Sequence, residues 1–515
     1  MPAHIFDKND VIHRLEAHLC KTFEMIDNKG MFMDVQKFNL QKGIAGAVVE
    51  QCIFEYSPDT EQKADLIIID GMKNTKTELK TTGMVIQKKP RKHFVAKEPM
   101  SITAVGVYEI AEQEFETSHF WEKLEHMLIV YYHYASPRPV SAYGYKDFIL
   151  KGYDFHEFSA DEVEILRNDW EYVRNLCAEV VSHHPGPRNK SWKLAVKKEY
   201  IETHSDIRRN LNYINLAPKF PPRFRLKKAI VSSMIANHFG YELEQLPERY
   251  LSKSEIDAKC RELTNLYAGK SIEELIKHFN LKLKKDTKGE MKNISEQIVV
   301  AMFGGTASKL NQIDLFQRFG LIAKTITFNS KGGHTEDMKL YRIDFNEMVR
   351  KVVVEDDGTE RAITFEDSDL YTYFADNEFL CIMFQEAQTN SKNEDYSLLS
   401  NVFIGFKRLV FTDDFIDTKV RKLWEDTRDK IMNHKLVDIV CTNKDGTPRL
   451  LNNGDVSSAP NFLKGKENEV CIRGSGQNSY LKNKTECVNG IHMLPMYVWI
   501  KGLSVVKELK KISTI

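Results

Sequence analysis

DLIIIDGMKNTKTELKT, residues 65–81, sets two extended runs on either side of the turn-prone Gly71-Met72-Lys73-Asn74, and the pattern predicts a β-hairpin. Pairing Asp70 with Thr75 across the turn places Asp65 opposite Lys80 and Ile67 opposite Glu78. Glu78 and Lys80, two apart on one strand, share a face, and opposed or diagonal side chains on that face lie ~4.5–8 Å apart. Asp65, Glu78 and Lys80 are therefore expected to converge, while Asp70 stays at the turn. Two carboxylates so close repel unless a cation sits between them, and oxygen ligands on a rigid ribbon suit Mg²⁺. A neighbouring ammonium can orient and help deprotonate a water, or offset charge growing on a phosphate oxygen.

The composition sets the frame around this ribbon. At ~100–200 residues per domain, 515 residues predict two to four domains, and 42% hydrophobic residues exclude wholesale disorder. Lys+Arg and Asp+Glu both number 73, so the net basicity that announces a nucleic-acid binder is absent and any anion site must be local. The eight cysteines form no C-x-x-C pair and no zinc spacing. No run approaches the ~18 apolar residues of a membrane span, and the N-terminus has no apolar signal core. These features point to a reduced, cytoplasmic protein with no membrane partner.

Alternation of helical and extended patterns predicts a mixed α/β (α+β) chain. Val11, Leu15, Leu19, Phe23 and Ile26 mark an opening amphipathic helix, and a second helix runs from Gly43 through Ile44, Val48 and Ile53. Strands are expected at Met100–Ile110 and Leu128–Tyr134, and helices at Ser118–Glu125, Asp161–Val180, Ser254–Tyr267 and Ser271–Phe279. Residues 241–292 are the candidate junction. RNDWEYVRN (167–175) resembles RKLWEDTRD (421–429), and LIVYY (128–132) has a counterpart in LCIMF (380–384). An ordered series of matches implies duplication, with a first domain over residues 1–245 and a second over 246–515.

D-x(12)-E-x-K is the arrangement of PD-(D/E)xK nucleases, although spacing alone favours the plainer reading, a surface hairpin with an ion pair. Glu50 shares a helix face with Ala47 and Phe54, and an inward carboxylate needs a partner, either in a buried salt bridge or beside a metal. The blocks QKGIAGAVVE (41–50), Asp65, TELKTT (77–82) and FETSHFWEKL (115–124) together resemble the MutH family, which includes a mismatch-repair nicking endonuclease and tandem-domain, GATC-cutting restriction endonucleases. ENEVCIRGSGQN (467–478) and LPMYVWIK (494–501) extend the resemblance into the second half. The resemblance implies two restriction-endonuclease-like domains. Asp65 and Glu78 would hold Mg²⁺ with the Leu79 carbonyl, Lys80 would position the nucleophilic water, and Lys123 and Glu50 would complete the site.

In the second half Val300 stands at the expected place of Glu50, Ile322 at that of Glu78 and Ala375 at that of Lys123, with Lys324 and Asp314 retained. That copy is expected to be silent, serving DNA binding or allostery. Arg473 takes the place of a recognition arginine able to grip guanine edges, with Ser475 where the family has a lysine. Arg223, Arg225, Lys227 and Lys228, and Lys88, Lys89, Arg91 and Lys92, are basic runs that could contact phosphates. The resulting expectation is a Mg²⁺-dependent type II restriction endonuclease cutting duplex DNA, by resemblance at GATC, and leaving 5′-phosphates. Two chains would meet on DNA to cut both strands, and a companion methyltransferase would act on the same site without needing to bind. Rival readings are a strand-nicking repair endonuclease and a non-catalytic DNA-binding regulator.

Overall fold

The computed structural model describes residues 4–33, 43–56, 64–87, 92–136, 140–216, 220–241, 243–282, 293–329, 336–354, 360–387, 398–476 and 478–512. The chain divides into two compact units. One is Met1–Ile256 with Phe303–Leu321 and Val354–Arg361; the other is Asp257–Met302 with Ile322–Val353 and Ala362–Ile515. Helices and sheets are mixed in both, as the alternating pattern implies.

The first unit is built on six strands: β1 (Ile5–Asp7), β2 (Leu66–Asp70), β3 (Lys73–Gln87), β4 (His93–Ala96) and, after β5 (Met100–Ala104), β6 (Met127–His133) and β7 (Ile149–His156). Their order is β1-β2-β3-β6-β7, with β4 added beside β3. β3 runs parallel to β6 and antiparallel to β2. The apolar run of β6 is explained by its central place, flanked by β3 and β7 and buried along nearly its whole length. A second sheet orders β5, β9 (Arg223–Leu226) and β8 (Ile214–Leu216).

The hairpin at residues 65–81 forms with a tighter turn than expected. Leu66 pairs with Thr77 and Asp70 with Lys73, leaving Gly71-Met72 as a two-residue loop with Gly71 at φ +63°, a conformation that glycine adopts without strain. Asp65 therefore falls opposite Glu78 rather than Lys80. A slip of two residues keeps every side chain on its face, so the expected convergence survives the wrong register.

The opening segment is two helices, α1 (Lys8–Glu16) and α2 (Phe23–Ile26), because the chain breaks at Cys20, where φ is +62°. The helix from Gly43 is α3 (Ile44–Val48) followed by a π-turn over Val49–Ile53. Val11, Leu15, Ile44, Val48, Leu79, Leu128 and Val130 share one core. That core covers the Leu79 side of β3 and leaves Glu78 and Lys80 to the alternate side. α4 (His119–Glu122), α5 (Ala160–Ser182, opened by a Ser159/Glu162 capping box), α6 (Lys190–Asn210) and α7 (Lys228–His238) complete the set.

The candidate junction is corrected in part. α8 (Lys253–Tyr267) spans the unit boundary, and α9 (Ile272–His278) and α10 (Ile294–Met302) belong to the second unit. The Ile272 N–H donates to the Asn401 carbonyl at 2.9 Å. Residues 283–292 lie outside the described residues. α11 (Asp314–Arg318) returns to the first unit, where Tyr213 meets Phe319 with ring centroids 5.5 Å apart. The expected boundary at residue 245 thus falls inside the first compact unit, which runs to Ile256 and takes in two later segments.

The second unit orders β10 (Leu321–Phe328), β12 (Glu378–Gln385) and β13 (Val402–Leu409) in one sheet. Another orders β11 (Met338–Arg342), β15 (Met496–Ile500) and β14 (Val470–Gly474). α12 (Asp369–Asp376), α13 (Arg421–Met432) and α14 (Gly502–Lys510) follow the order of the first unit's α4, α5 and α7. The repeat is visible in packing. Phe115 lies 5.9 Å from Trp170 with the Arg167 guanidinium 4.5 Å over its ring, and Phe365 lies 5.9 Å from Trp424 with Arg421 4.7 Å over it. Ser118 and Ser368 each cap the next helix and donate to the carbonyls of Phe115 and Phe365 at 2.7 and 2.6 Å.

Candidate active site

β2, β3 and α4 bring four of the expected residues together. Glu78 is 2% exposed. Its Oε1 accepts from Lys80 Nζ at 2.6 Å, and both of its carboxylate oxygens accept from Lys123 Nζ at 2.9 Å. Lys123 reaches it because Ser118 caps α4 and the helix ends one turn later. Asp65 turns its Oδ2 to the Leu79 N–H at 2.9 Å. Burial first, and then the charge of Glu78, push Asp65 up to about 6. A buried carboxylate clasped by two ammonium groups beside a second one that resists ionisation is unlike the ordinary surface ion pair that spacing favoured.

The group opens onto a cleft of about 700 Å³ whose walls include Tyr108, His119, Phe120, Phe220 and Arg223. Its donors are hard oxygens, which fit a divalent cation: positive charge between Asp65 and Glu78 would relieve the repulsion that raises Asp65. Among the described residues no third His, Cys, Asp or Glu joins them. Such an ion would thus complete its shell from the backbone, water and a substrate phosphate, as Mg²⁺ commonly does. The Leu79 N–H faces Asp65, a role that the motif did not indicate.

Glu50 lies on the π-turn that follows α3, near the ribbon: a Cβ built at Gly46 would meet Thr81 Oγ1 at 3.8 Å and Glu50 Oε1 at 3.9 Å.

The expected phosphate contacts divide. Lys227 is a correction: it is buried and donates to the Leu211 carbonyl at 2.6 Å, because it precedes α7 and points inward. Arg225 is half-buried, with Nε and Nη2 3.1 and 2.7 Å from Asn215 Oδ1. Arg223 lines the cleft, and Lys228 is exposed at the start of α7. Lys92 is exposed, while Lys88, Lys89 and Arg91 lie outside the described residues.

In the second unit Ile322 lies two residues before Lys324, as Glu78 does before Lys80, and packs on the apolar core. Counting from the capping serines, Tyr373 and not Ala375 matches Lys123, and its ring lies tilted against that of Tyr341 with centroids 4.2 Å apart. Val300 is buried, and the carboxylate that acts on Lys324 is Glu296. Lys324 donates to the Lys339 carbonyl at 2.6 Å, and burial lowers it to about 8. Asp314 is corrected outright. It belongs to the first unit, accepting from Ser233 at 2.9 Å and pairing with Arg318 at 2.6 Å.

Arg473 is exposed on β14, 3.8 Å over the Trp499 ring and 2.9 Å from Asp337. Ser475 Oγ accepts from Lys339 Nζ at 2.7 Å, and that ammonium sits 3.5 Å over Tyr497. Sequence reasoning missed Lys339. It comes from β11, 136 residues before Ser475, and supplies an ammonium at the position where the family lysine is replaced. The alternation of Tyr497 and Trp499 on β15 was the one available hint that something cationic covers that face.

Residues 54–169 match the family described as DNA mismatch repair enzyme MutH. The match spans Asp65, Glu78, Lys80 and Lys123 and stops short of the second unit. The chain is also 22% identical over 410 residues to the type II restriction enzyme Sau3AI of Staphylococcus aureus, covering 78% of this chain and 76% of that one. The second similarity is too long to be confined to the first unit.

Proposed function

We propose, from a first unit that carries a MutH-family domain and a chain similar to a restriction enzyme over most of its length, that this protein is a type II restriction endonuclease. It hydrolyses phosphodiester bonds of duplex DNA with a divalent cation, Mg²⁺ by the hardness of its ligands, in the cytoplasm. The observation that carries the reading is the buried Glu78, held by Lys80 and Lys123 in the lining of a cleft, with Asp65 near enough to feel its charge. Its counterpart in the second unit has an isoleucine and a tyrosine at two of those positions.

Asp65 and Glu78 would hold the cation, which when bound supplies Lewis acidity toward a phosphate oxygen. Lys80, 2.6 Å from Glu78, orients the attacking water and offsets negative charge on the phosphate. Lys123 keeps the Glu78 carboxylate fixed. Arg223, which also lines the cleft, suits a phosphate oxygen of the bound strand. Glu50, by resemblance, would complete the site. In the second unit Arg473, Ser475 and Lys339 form a polar, aromatic-backed face suited to base edges, with GATC as the target by similarity. One competent site per chain implies that two chains act together, or in succession, for a double-strand break, and a methyltransferase of the same target would protect the host's own DNA.

Plasmid cleavage with Mg²⁺ tests this. Discrete fragments from the parent and none from Glu78→Ala are expected, with fragment ends giving the target. Cleavage that survives the substitution rejects the site. The one-site geometry also favours a second reading, a strand-nicking repair endonuclease, which would yield open circles and no linear DNA.

A further inference from the structure

The cleft has a cationic rim, contributed by the first turns of α6. α6 begins in a stretch, residues 188–198, that holds Arg188, Lys190, Lys193, Lys197 and Lys198 and no acidic residue. Two of these meet the cleft wall through aromatic rings. Lys193 Nζ lies 5.3 Å from the centroid of Tyr108, whose hydroxyl donates to the Lys193 carbonyl at 3.2 Å. Lys197 Nζ lies 5.1 Å from the centroid of Phe220. Tyr108 and Phe220 both line the cleft that contains Glu78, Lys80, Lys123 and Arg223.

The acids nearby leave these two lysines uncompensated. Glu112 is taken by Arg188 at 2.8 Å, and Glu199 is held by His183 and His184 at 2.6 and 2.8 Å. Glu109, exposed in the cleft lining, is a carboxylate that shares the rim. Among the described residues neither Lys193 nor Lys197 enters an ion pair. One turn separates them, about 6 Å along the helix, close to two phosphate steps of about 3.4 Å on one strand of a duplex. Ring faces restrict where the ammonium groups can go without neutralising them.

We infer that Lys193 and Lys197 form a backbone track for duplex DNA at the lip of the cleft, engaging phosphates beside the scissile one and setting how the strand enters. The inference rests on the nuclease reading and names the part of the chain that holds the substrate's flank.

Binding of a labelled 30-base-pair duplex is measured with Ca²⁺ in place of Mg²⁺ between 50 and 200 mM salt. Loss of two phosphate contacts lowers the slope of log K against log[salt] by about 1.8. The parent's advantage over Lys193→Ala/Lys197→Ala should therefore shrink about twelve-fold across that range. The Lys193→Arg/Lys197→Arg chain should keep the parental slope, which a merely structural role of the lysine stems would not require. An unchanged slope in the alanine variant overturns the track while leaving the nuclease intact. A parent that cuts no DNA at any salt rejects the nuclease reading itself, so the two failures are distinct.

Discussion

Asp65→Asn separates the electrostatics of the site from its shape. Asparagine keeps the size of the side chain and an oxygen that can accept the Leu79 N–H, now 2.9 Å from Oδ2, but it cannot ionise. Burial and the charge of Glu78 raise Asp65 from 3.8 to about 6 in the folded state. The folded protein therefore holds this proton more tightly than the unfolded chain does. Its stabilising contribution is complete below pH 3.8 and is lost as pH rises through about 6. About two units correspond to roughly 3 kcal/mol standing against the fold at pH 7.5 without metal. In chelator at that pH, the asparagine chain should melt several degrees higher than the parent, and the gap should close near pH 4. Mg²⁺ at a hundred times its Kd would return about 2.7 kcal/mol to the parent and much less to the variant, which should cut no DNA. A variant that melts lower in chelator, or a Mg²⁺ response equal in both chains, refutes the account.

Glu78→Gln should behave in the opposite sense: it strands Lys80 and Lys123, only 19% and 14% exposed, and should cost about 3–5 kcal/mol in urea denaturation along with all cleavage. Arg473→Ala and Lys339→Met should relax target choice by about 1–3 kcal/mol per contact, read by sequencing fragment ends. In the second unit, Lys324 falls from 10.5 to about 8, so parental stability should rise between those pH values and a Lys324→Met chain should stay level, as urea midpoints at pH 7.5 and 10 will report. A fragment ending at residue 245 lacks Asp314 and Phe319, the partners of Ser233 and Tyr213. It should show no cooperative unfolding transition by calorimetry.

The local parts of this protein were legible because local rules decide them. The ribbon, the helix α5 and the apolar strand β6 follow from turn residues, helical periodicity and a continuous apolar run. The convergence of Asp65 with Glu78 and Lys80 was found despite a register error, since side-chain alternation does not depend on where the turn closes. What stayed hidden depends on distant segments. Lys227 reads as basic and exposed until the Leu211 carbonyl is seen to take its ammonium. Asp314 reads as a relic of the duplicated site, although α11 joins the other unit. The place of Lys123 was matched to Ala375 because α12 runs longer than α4, which only the capping serines reveal.

The tilted rings of Tyr341 and Tyr373, 4.2 Å apart, set a condition on what single substitutions could do in the second unit. Ile322 and both rings rest on the same apolar core, so a carboxylate at residue 322 alone would be stranded among hydrocarbon without the second ammonium that Lys123 gives Glu78. Placing a lysine at residue 373 alone would tear a hole in packing. Each single substitution is penalised before the pair could assemble, so a couple like that of Glu78 with Lys123 could be installed there only by changing both residues together.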